Sequence, residues 1–142
     1  MPEFALTVDV DAPLEDVWKL LYDPTRFPEW FFGMQTVRTG DGAGDDFTYW
    51  LADYPDFPMP QRLRTDHADR RVTISCLVSF LEFSWQLEEL PTERTRVALE
   101  VTIPEQEAHR LEDQRGYAER SMSRLAAVAE AQSTAGGSAP SR

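Results

Sequence analysis

The chain has 142 residues, of which 42% are hydrophobic, and this is enough for one folded domain with a substantial core. Its formal net charge of −11 argues against binding to nucleic acid or to an anionic membrane surface, because both would be repelled. The single cysteine, Cys76, excludes an internal disulfide framework. With no signal peptide and no apolar run long enough to span a bilayer, we expect a cytoplasmic protein without membrane insertion.

A strand and two short helices are predicted at the start of the chain. Residues 3–10 alternate between apolar and polar or small side chains, which is the period of a half-buried strand. Asp11 or Ala12 is the predicted N-cap of the first helix, with Pro13 in its first turn. Residues 23–24, Asp-Pro, give the start signal of a second, very short helix. The first helix has apolar residues at helical spacing: Leu14, Val17, Trp18 and Leu21.

Six further strands are predicted before the last helix. Their ranges are 34–39, 47–53, 61–67, 71–78, 81–89 and 95–103. Because the gaps between them are short, the strands are expected to be antiparallel neighbours in a meander. Residues 54–60 are predicted to form a loop. Its stretch at residues 54–59, YPDFPM, is rich in proline and aromatic residues and is predicted to shape an entrance, with the alternative that the aromatic side chains only hold the loop in place.

One long helix is predicted for residues 105–131, which contain no proline and many good helix formers. One stripe of this helix is mixed in its first half and apolar in its second, so the first half is predicted to face a cavity. The alternative is that Glu107 and Gln114 lie at a solvated helix end. Arg110 is predicted to point further away, and residues 133–142 are predicted to be a disordered tail after a single domain of residues 1–132. The stripe consists of Glu107, Leu111, Gln114, Ala118, Met122, Leu125 and Ala129.

Alternation along the strands predicts which side chains point inward. Phe83, Trp85 and Leu87 alternate with charged or polar neighbours, and so do the apolar residues around Glu100. Arg62 and Arg64 alternate with Leu63, so both are predicted to face outward. By the same rule, further residues are predicted to face inward: Phe47, Tyr49, Leu51, Leu63, Thr65, Val72, Ile74, Cys76 and Val78.

No motif for a cofactor or metal is found, and no cofactor is expected. Residues 40–44, GDGAG, lack a lysine and carry acidic side chains that would repel phosphate, so they are predicted to form a turn. The two histidines, His67 and His109, are far apart in sequence. Cys76 is interpreted as a small buried apolar residue, since no histidine is predicted beside it.

The order of elements is similar to that of a known family, and the likeness is carried by residues 8–30, VDVDAPLEDVWKLLYDPTRFPEW, and residues 95–97, TRV. It resembles the SRPBCC or START-like superfamily, and within it the small bacterial polyketide cyclase/dehydrase-like group. The resemblance implies an α+β helix-grip fold, in which a curved antiparallel sheet of about seven strands wraps around a long C-terminal helix. It also implies an elongated cavity between sheet and helix, with the short second helix and connecting loops at its mouth.

The predicted cavity wall is mostly apolar with a few polar groups, as a small hydrophobic ligand requires. For each aromatic residue, plain core packing is the alternative. Tyr49 and Glu107 are the candidates for proton transfer, and Glu107 would need burial to act as an acid. The other predicted ligand-binding residues are Trp30, Gln35, Phe47, Leu51, Leu63, Thr65, Ile74, Cys76, Phe83, Trp85, Leu111, Gln114 and Ala118.

Three functions remain open. The first is a cyclase or dehydratase-like enzyme acting on a small hydrophobic or aromatic molecule, although the inward arginine often found in the superfamily's cyclases is not predicted. The second is a non-catalytic carrier of a lipid or metabolite, and the third is a chaperone-activator-like interaction module using Trp50 on the outer surface. Converging polar side chains in the cavity would favour the enzyme. A smooth apolar pocket would favour the carrier, and an interior filled by side chains would favour the interaction module. A monomer or homodimer is expected.

Overall fold

The structure is a computed structural model that describes residues 3–39, 46–51 and 54–138, without the side chains of residues 35, 51, 54–55 and 133–138. A strand and short helices open the chain, six strands follow, and a long helix closes it. The elements are β1 (Glu3–Val10), α1 (Leu14–Tyr22), a 3-10 turn (Pro24–Arg26), α2 (Phe27–Trp30), β2 (Met34–Thr39), β3 (Phe47–Leu51), β4 (Tyr54–Asp66), β5 (Arg71–Cys76), β6 (Glu82–Leu90), β7 (Arg94–Thr102), a 3-10 segment (Glu105–Arg110) and α3 (Leu111–Ser138).

The seven strands form one curved antiparallel sheet in the order β1-β7-β6-β5-β4-β3-β2. Strands β2 to β7 pair in sequence order, which confirms the predicted meander. The first strand pairs with the last along its whole length, from Glu3 opposite Thr102 to Val10 opposite Thr95. This brings the start of the chain next to α3, since the polypeptide leaves β7 directly toward that helix. The predicted α+β helix-grip fold is confirmed.

The predicted loop conformation of residues 54–60 is wrong, because these residues form the first half of strand β4. Proline is tolerated there because β5 pairs with β4 only from Gln61 onward, so the first half has only β3 as a hydrogen-bonded neighbour. Strand β5 ends at Cys76, and Val78 after it is exposed instead of pointing inward. The predicted turn at residues 40–44 lies outside the described residues.

The predicted caps of the first two helical segments have different outcomes. Neither Asp11 nor Ala12 caps α1, whose N-cap is Pro13 without a side-chain hydrogen bond. The backbone N–H of Asp11 instead donates to the carboxylate of Glu130 on α3 at 3.0 Å. Asp23 does cap the 3-10 turn, since its Oδ1 accepts from the backbone N–H of Thr25 at 3.1 Å and from its hydroxyl at 2.7 Å.

The core lies between the inner face of the sheet and the helices, and Trp30 is at its centre. Its indole ring stacks on Phe31 at 5.0 Å and meets Phe27 and Trp85 edge to face at 5.5 and 5.2 Å between ring centroids. Its N–H donates to the carbonyl oxygen of Leu20 at 2.9 Å, which ties α2 to α1. The residues of α3 with buried side chains are Gln114, Ala118, Ser121, Met122, Leu125 and Ala129.

The last helix differs from its prediction at both ends. Its first residues, Glu105–Arg110, are a 3-10 segment and α3 proper begins at Leu111. At the other end α3 continues to Ser138, so the stretch predicted as disordered from residue 133 begins as helix, and residues 139–142 lie outside the described residues. The tighter 3-10 geometry changes which side chains share a face before Leu111, and this affects the site.

Candidate functional site

An inner cavity of about 80 Å³ lies between α3 and strands β3 to β6. Most of its wall is apolar, and polar side chains from two strands, the turn between β5 and β6, the 3-10 segment and α3 reach it. The apolar lining residues are Phe31, Phe32, Met34, Met59, Ile74, Cys76, Leu81, Phe83 and Ala118. The polar ones are Tyr49, Gln61, Ser79, Arg110, Gln114 and Tyr117.

The cavity has a mouth, which is an open basin of about 520 Å³. Met59, Ser79 and Arg110 line both spaces, so the mouth adjoins the inner cavity. The mouth is formed by β4, by the turn between β5 and β6 and by the 3-10 segment before α3. Its remaining lining residues are Phe57, Val78, Phe80, Gln106 and Glu107.

Two polar groups in the inner cavity are available to a ligand. Gln114 projects from α3 and is only 8% exposed, and Tyr49 projects from β3. Within the described residues, neither the Gln114 amide nor the Tyr49 hydroxyl makes a hydrogen bond. Because a buried polar group without a partner is costly, both side chains are poised to bond to an incoming molecule.

Tyr49 is a hydrogen-bond donor in this environment. Burial raises the pKa of its hydroxyl well above the ordinary value, Cys76 adds to this, and the positive charge of Arg110 opposes it. The hydroxyl therefore keeps its proton at neutral pH. It can donate a hydrogen bond to an oxygen of a ligand, and it is not suited to act as a base.

Arg110 lines the cavity, contrary to the prediction that it points away from it. Its guanidinium Nη1 is 2.9 Å from Oε1 of Glu107. The 3-10 geometry explains the error, because side chains three residues apart eclipse in such a segment, which places Glu107 and Arg110 on one side. The carboxylate of Glu107 lies at the open mouth in an ion pair, without the enclosed burial that a role as an acid would need.

The structure places the other predicted ligand-binding residues on the cavity wall, in or against the core, or, for Thr65, at the surface. Those on the inner cavity wall are Ile74, Cys76, Phe83, Gln114 and Ala118. Those packed in or against the core are Trp30, Phe47, Leu63, Trp85 and Leu111. The side chains of Gln35 and Leu51 lie outside the described residues.

Thr65 lies opposite the buried Val72 and so is on the inner face of the sheet, but the structure places it away from the cavity. It is exposed, and it lines a surface depression beside α1 together with Trp18 and His67. Thr65 lies near the end of β4, one residue before the strand stops at Asp66. Alternation predicts the face on which Thr65 lies, but the core does not extend over that face at this end of the strand.

Several cavity residues were missed from the sequence. Gln61 could have been found, because it lies two residues before Leu63 and so shares its face of β4. Phe31 follows Trp30 in the aromatic segment and its ring lies 5.8 Å from that of Phe83. No sequence pattern identifies Arg110 as a cavity residue, because the sequence does not show whether the helical segment begins with 3-10 or with α-helical geometry.

Two searches of the described residues gave no result. No group of three or more histidine, cysteine, aspartate or glutamate side chains there could hold a metal ion. No helix in the described part of the chain is long and apolar enough to cross a membrane.

The sequence matches the family model described as "Polyketide cyclase / dehydrase and lipid transport" over residues 1–130. The chain belongs to this family. No curated protein matches the sequence.

Several solved structures show the same fold. The protein XoxI from Bacillus cereus has a TM-score of 0.72 at 18% identity, and the match covers 89% of this chain and 94% of that one. The di-domain ARO/CYC protein BexL from the BE-7585A biosynthetic pathway has a TM-score of 0.71 at 21% identity. The match covers 94% of this chain and 46% of BexL. The di-domain ARO/CYC protein StfQ from the steffimycin biosynthetic pathway has a TM-score of 0.69 at 17% identity. The match covers 89% of this chain and 44% of StfQ.

Proposed function

We propose that this protein binds a small hydrophobic or aromatic molecule that carries an oxygen atom at the end held in the inner cavity. The observation that carries the proposal is the convergence of Tyr49, Gln114 and Arg110 on a mostly apolar space. An apolar wall supplies the affinity for rings or chains, and a few fixed polar groups set the orientation. The family description and the ARO/CYC names of BexL and StfQ support this class of ligand.

We further propose that the bound molecule undergoes ring closure or dehydration. When a carbon next to a carbonyl group loses a proton to solvent water at the open mouth, negative charge develops on the carbonyl oxygen. The hydroxyl of Tyr49 and the guanidinium of Arg110 are donors that would stabilise that charge in a site with little water. The apolar wall would hold the carbon chain in the folded shape that closes a ring.

The two other functions have less support. A carrier needs no unpaired donors, yet Tyr49 and Gln114 both face the cavity without a partner among the described residues. An interaction module would require an exposed Trp50. That side chain is half-buried, and the guanidinium of Arg38 lies over its ring at 5.6 Å.

Gln114→Leu is expected to weaken binding of the probe 1-anilinonaphthalene-8-sulfonate about 2- to 12-fold. This is the change in affinity that corresponds to the loss of one hydrogen bond. The probe combines apolar rings with sulfonate oxygens, and its affinity is measured by fluorescence titration. The melting temperature should change little, since leucine fills a similar space.

The matched control is Gln86→Leu, because Gln86 is exposed on the outer side of β6. Its affinity for the probe should equal that of the wild type. If Gln114→Leu unfolds the protein, or leaves the affinity unchanged, Gln114 has a structural role only and the assignment of the cavity as a binding site is refuted.

A further inference from the structure

The inner cavity is too small to enclose a whole ligand. Its volume is about 80 Å³, whereas pockets for drug-sized molecules are usually about 300–1,000 Å³. The mouth, at about 520 Å³, adjoins it and shares the lining residues Met59, Ser79 and Arg110. If the proposed function is correct, most of the ligand must therefore lie in the mouth, against residues to which no role has been given.

Phe80, in the turn between β5 and β6, lies at this mouth in a disfavoured backbone conformation. Its φ is 62°, in the left-handed region that glycine adopts readily and bulky residues avoid. The turn is closed by two hydrogen bonds, from the N–H of Cys76 to the carbonyl of Leu81 at 2.9 Å and from the N–H of Phe80 to the carbonyl of Cys76 at 3.0 Å. Glycine would satisfy the same turn without strain.

The side chain of Phe80 is not buried in the folded protein, so packing does not offset the backbone strain. It is 65% exposed, and Phe57 on β4, which lines the same mouth, is 56% exposed. Val78 adds a third exposed apolar side chain to this rim. Exposed apolar groups that cluster around a concave site are typical of ligand-binding surfaces.

We propose that Phe80 is a ligand-binding residue whose ring, together with Phe57, covers the flat apolar part of a ligand that extends from the inner cavity into the mouth. The inference rests on the proposed function of the inner cavity. It adds that the ligand is an elongated molecule with an oxygen-bearing end and an apolar body. The backbone strain at Phe80, whose ring is exposed in the free protein, is then offset by a contact that the ring makes only when the ligand is bound.

Phe80→Gly is the test, because it removes the ring and relieves the left-handed strain together. We expect the melting temperature to stay the same or rise, and the affinity for 1-anilinonaphthalene-8-sulfonate to fall about fivefold to tenfold. Phe80→Ala should show the same loss of affinity without a rise in melting temperature. If only the glycine variant loses affinity, a loosened turn is the cause and the proposal is wrong.

Thr92→Gly is the matched control. Thr92 is also exposed with a φ of 62°, but it lies in the turn between β6 and β7. Successive turns of a meander lie at opposite ends of the sheet, so this residue is remote from the mouth. The variant should gain the same stability as Phe80→Gly and bind the probe as the wild type does.

The outcomes separate this proposal from the function on which it rests. If Gln114→Leu weakens probe binding while both Phe80 variants bind normally, the inner cavity binds ligand and the role of Phe80 is refuted. If the wild type does not bind the probe, the proposed function itself fails. If sedimentation shows that Phe80→Gly converts a dimer to a monomer without changing probe affinity, the rim is a contact between copies of the chain, and the proposal is again overturned.

Discussion

Trp30→Ala is expected to lower the free energy of unfolding by about 3–5 kcal/mol. The side chain is 0% exposed and is surrounded by Phe27, Phe31 and Trp85, so its removal leaves a large cavity in the aromatic cluster. The loss also leaves the carbonyl of Leu20 without its side-chain hydrogen bond. The measurement is equilibrium unfolding in urea.

Trp50→Ala serves as the control for this experiment. Trp50 is half-buried and contacts Arg38 at the surface of β3, so removing it should cost much less than removing Trp30. Equal losses for the two variants, or a loss below about 1 kcal/mol for Trp30→Ala, would mean that Trp30 does not organise the core. Trp30 was predicted as a wall residue at the cavity mouth, and a large loss would support its position in the core.

Arg110→Leu is expected to weaken binding of 1-anilinonaphthalene-8-sulfonate by roughly 10- to 150-fold. This corresponds to about 1.5–3 kcal/mol for a hydrogen bond that involves a charged group. Arg110 lines both the inner cavity and the mouth, so its guanidinium can reach an oxygen atom held at the junction of the two. Leucine keeps part of the apolar stem but removes all the donors.

Two controls accompany this variant. Arg115→Leu removes a positive charge from the adjoining helix α3, where the guanidinium lies over the ring of Phe4 at 5.4 Å, and should leave the affinity unchanged. Glu107→Gln removes the ion-pair partner of Arg110, so binding of the anionic probe should be as tight as in the wild type or tighter. Unchanged affinity in Arg110→Leu would remove Arg110 from the proposed site, and with it the donor expected to stabilise charge during ring closure.

The fold could be predicted from the sequence because its signals are local and repeated. Strict alternation in residues 3–10 and in β6 and β7 identified both the strands and their inner faces. The proline-rich half of β4 was missed because proline is excluded only from positions where a neighbouring strand needs its N–H. Whether that neighbour is present depends on where β5 ends, which is a property of the sheet and not of the local sequence.

The candidate site was predicted only in part, for reasons of geometry. Gln114 and Ala118 lie in the regular α-helical part of α3, where spacing of about 3.6 residues per turn assigns faces correctly. Arg110 lies in the 3-10 segment, where that spacing fails. Thr65 obeyed the alternation rule, but whether a face is covered at the end of a strand depends on which elements pack above it.

Native mass spectrometry of the protein purified from its own host tests the central claim, that the inner cavity and its mouth hold a small molecule. The wild type is compared with Ala118→Leu, since Ala118 is buried on the wall of the inner cavity and leucine would fill much of the 80 Å³. We expect the wild type to carry one small organic molecule per chain, and the folded Ala118→Leu protein to carry none. A wild-type protein without any bound molecule, or equal occupancy in the two proteins, would contradict the account.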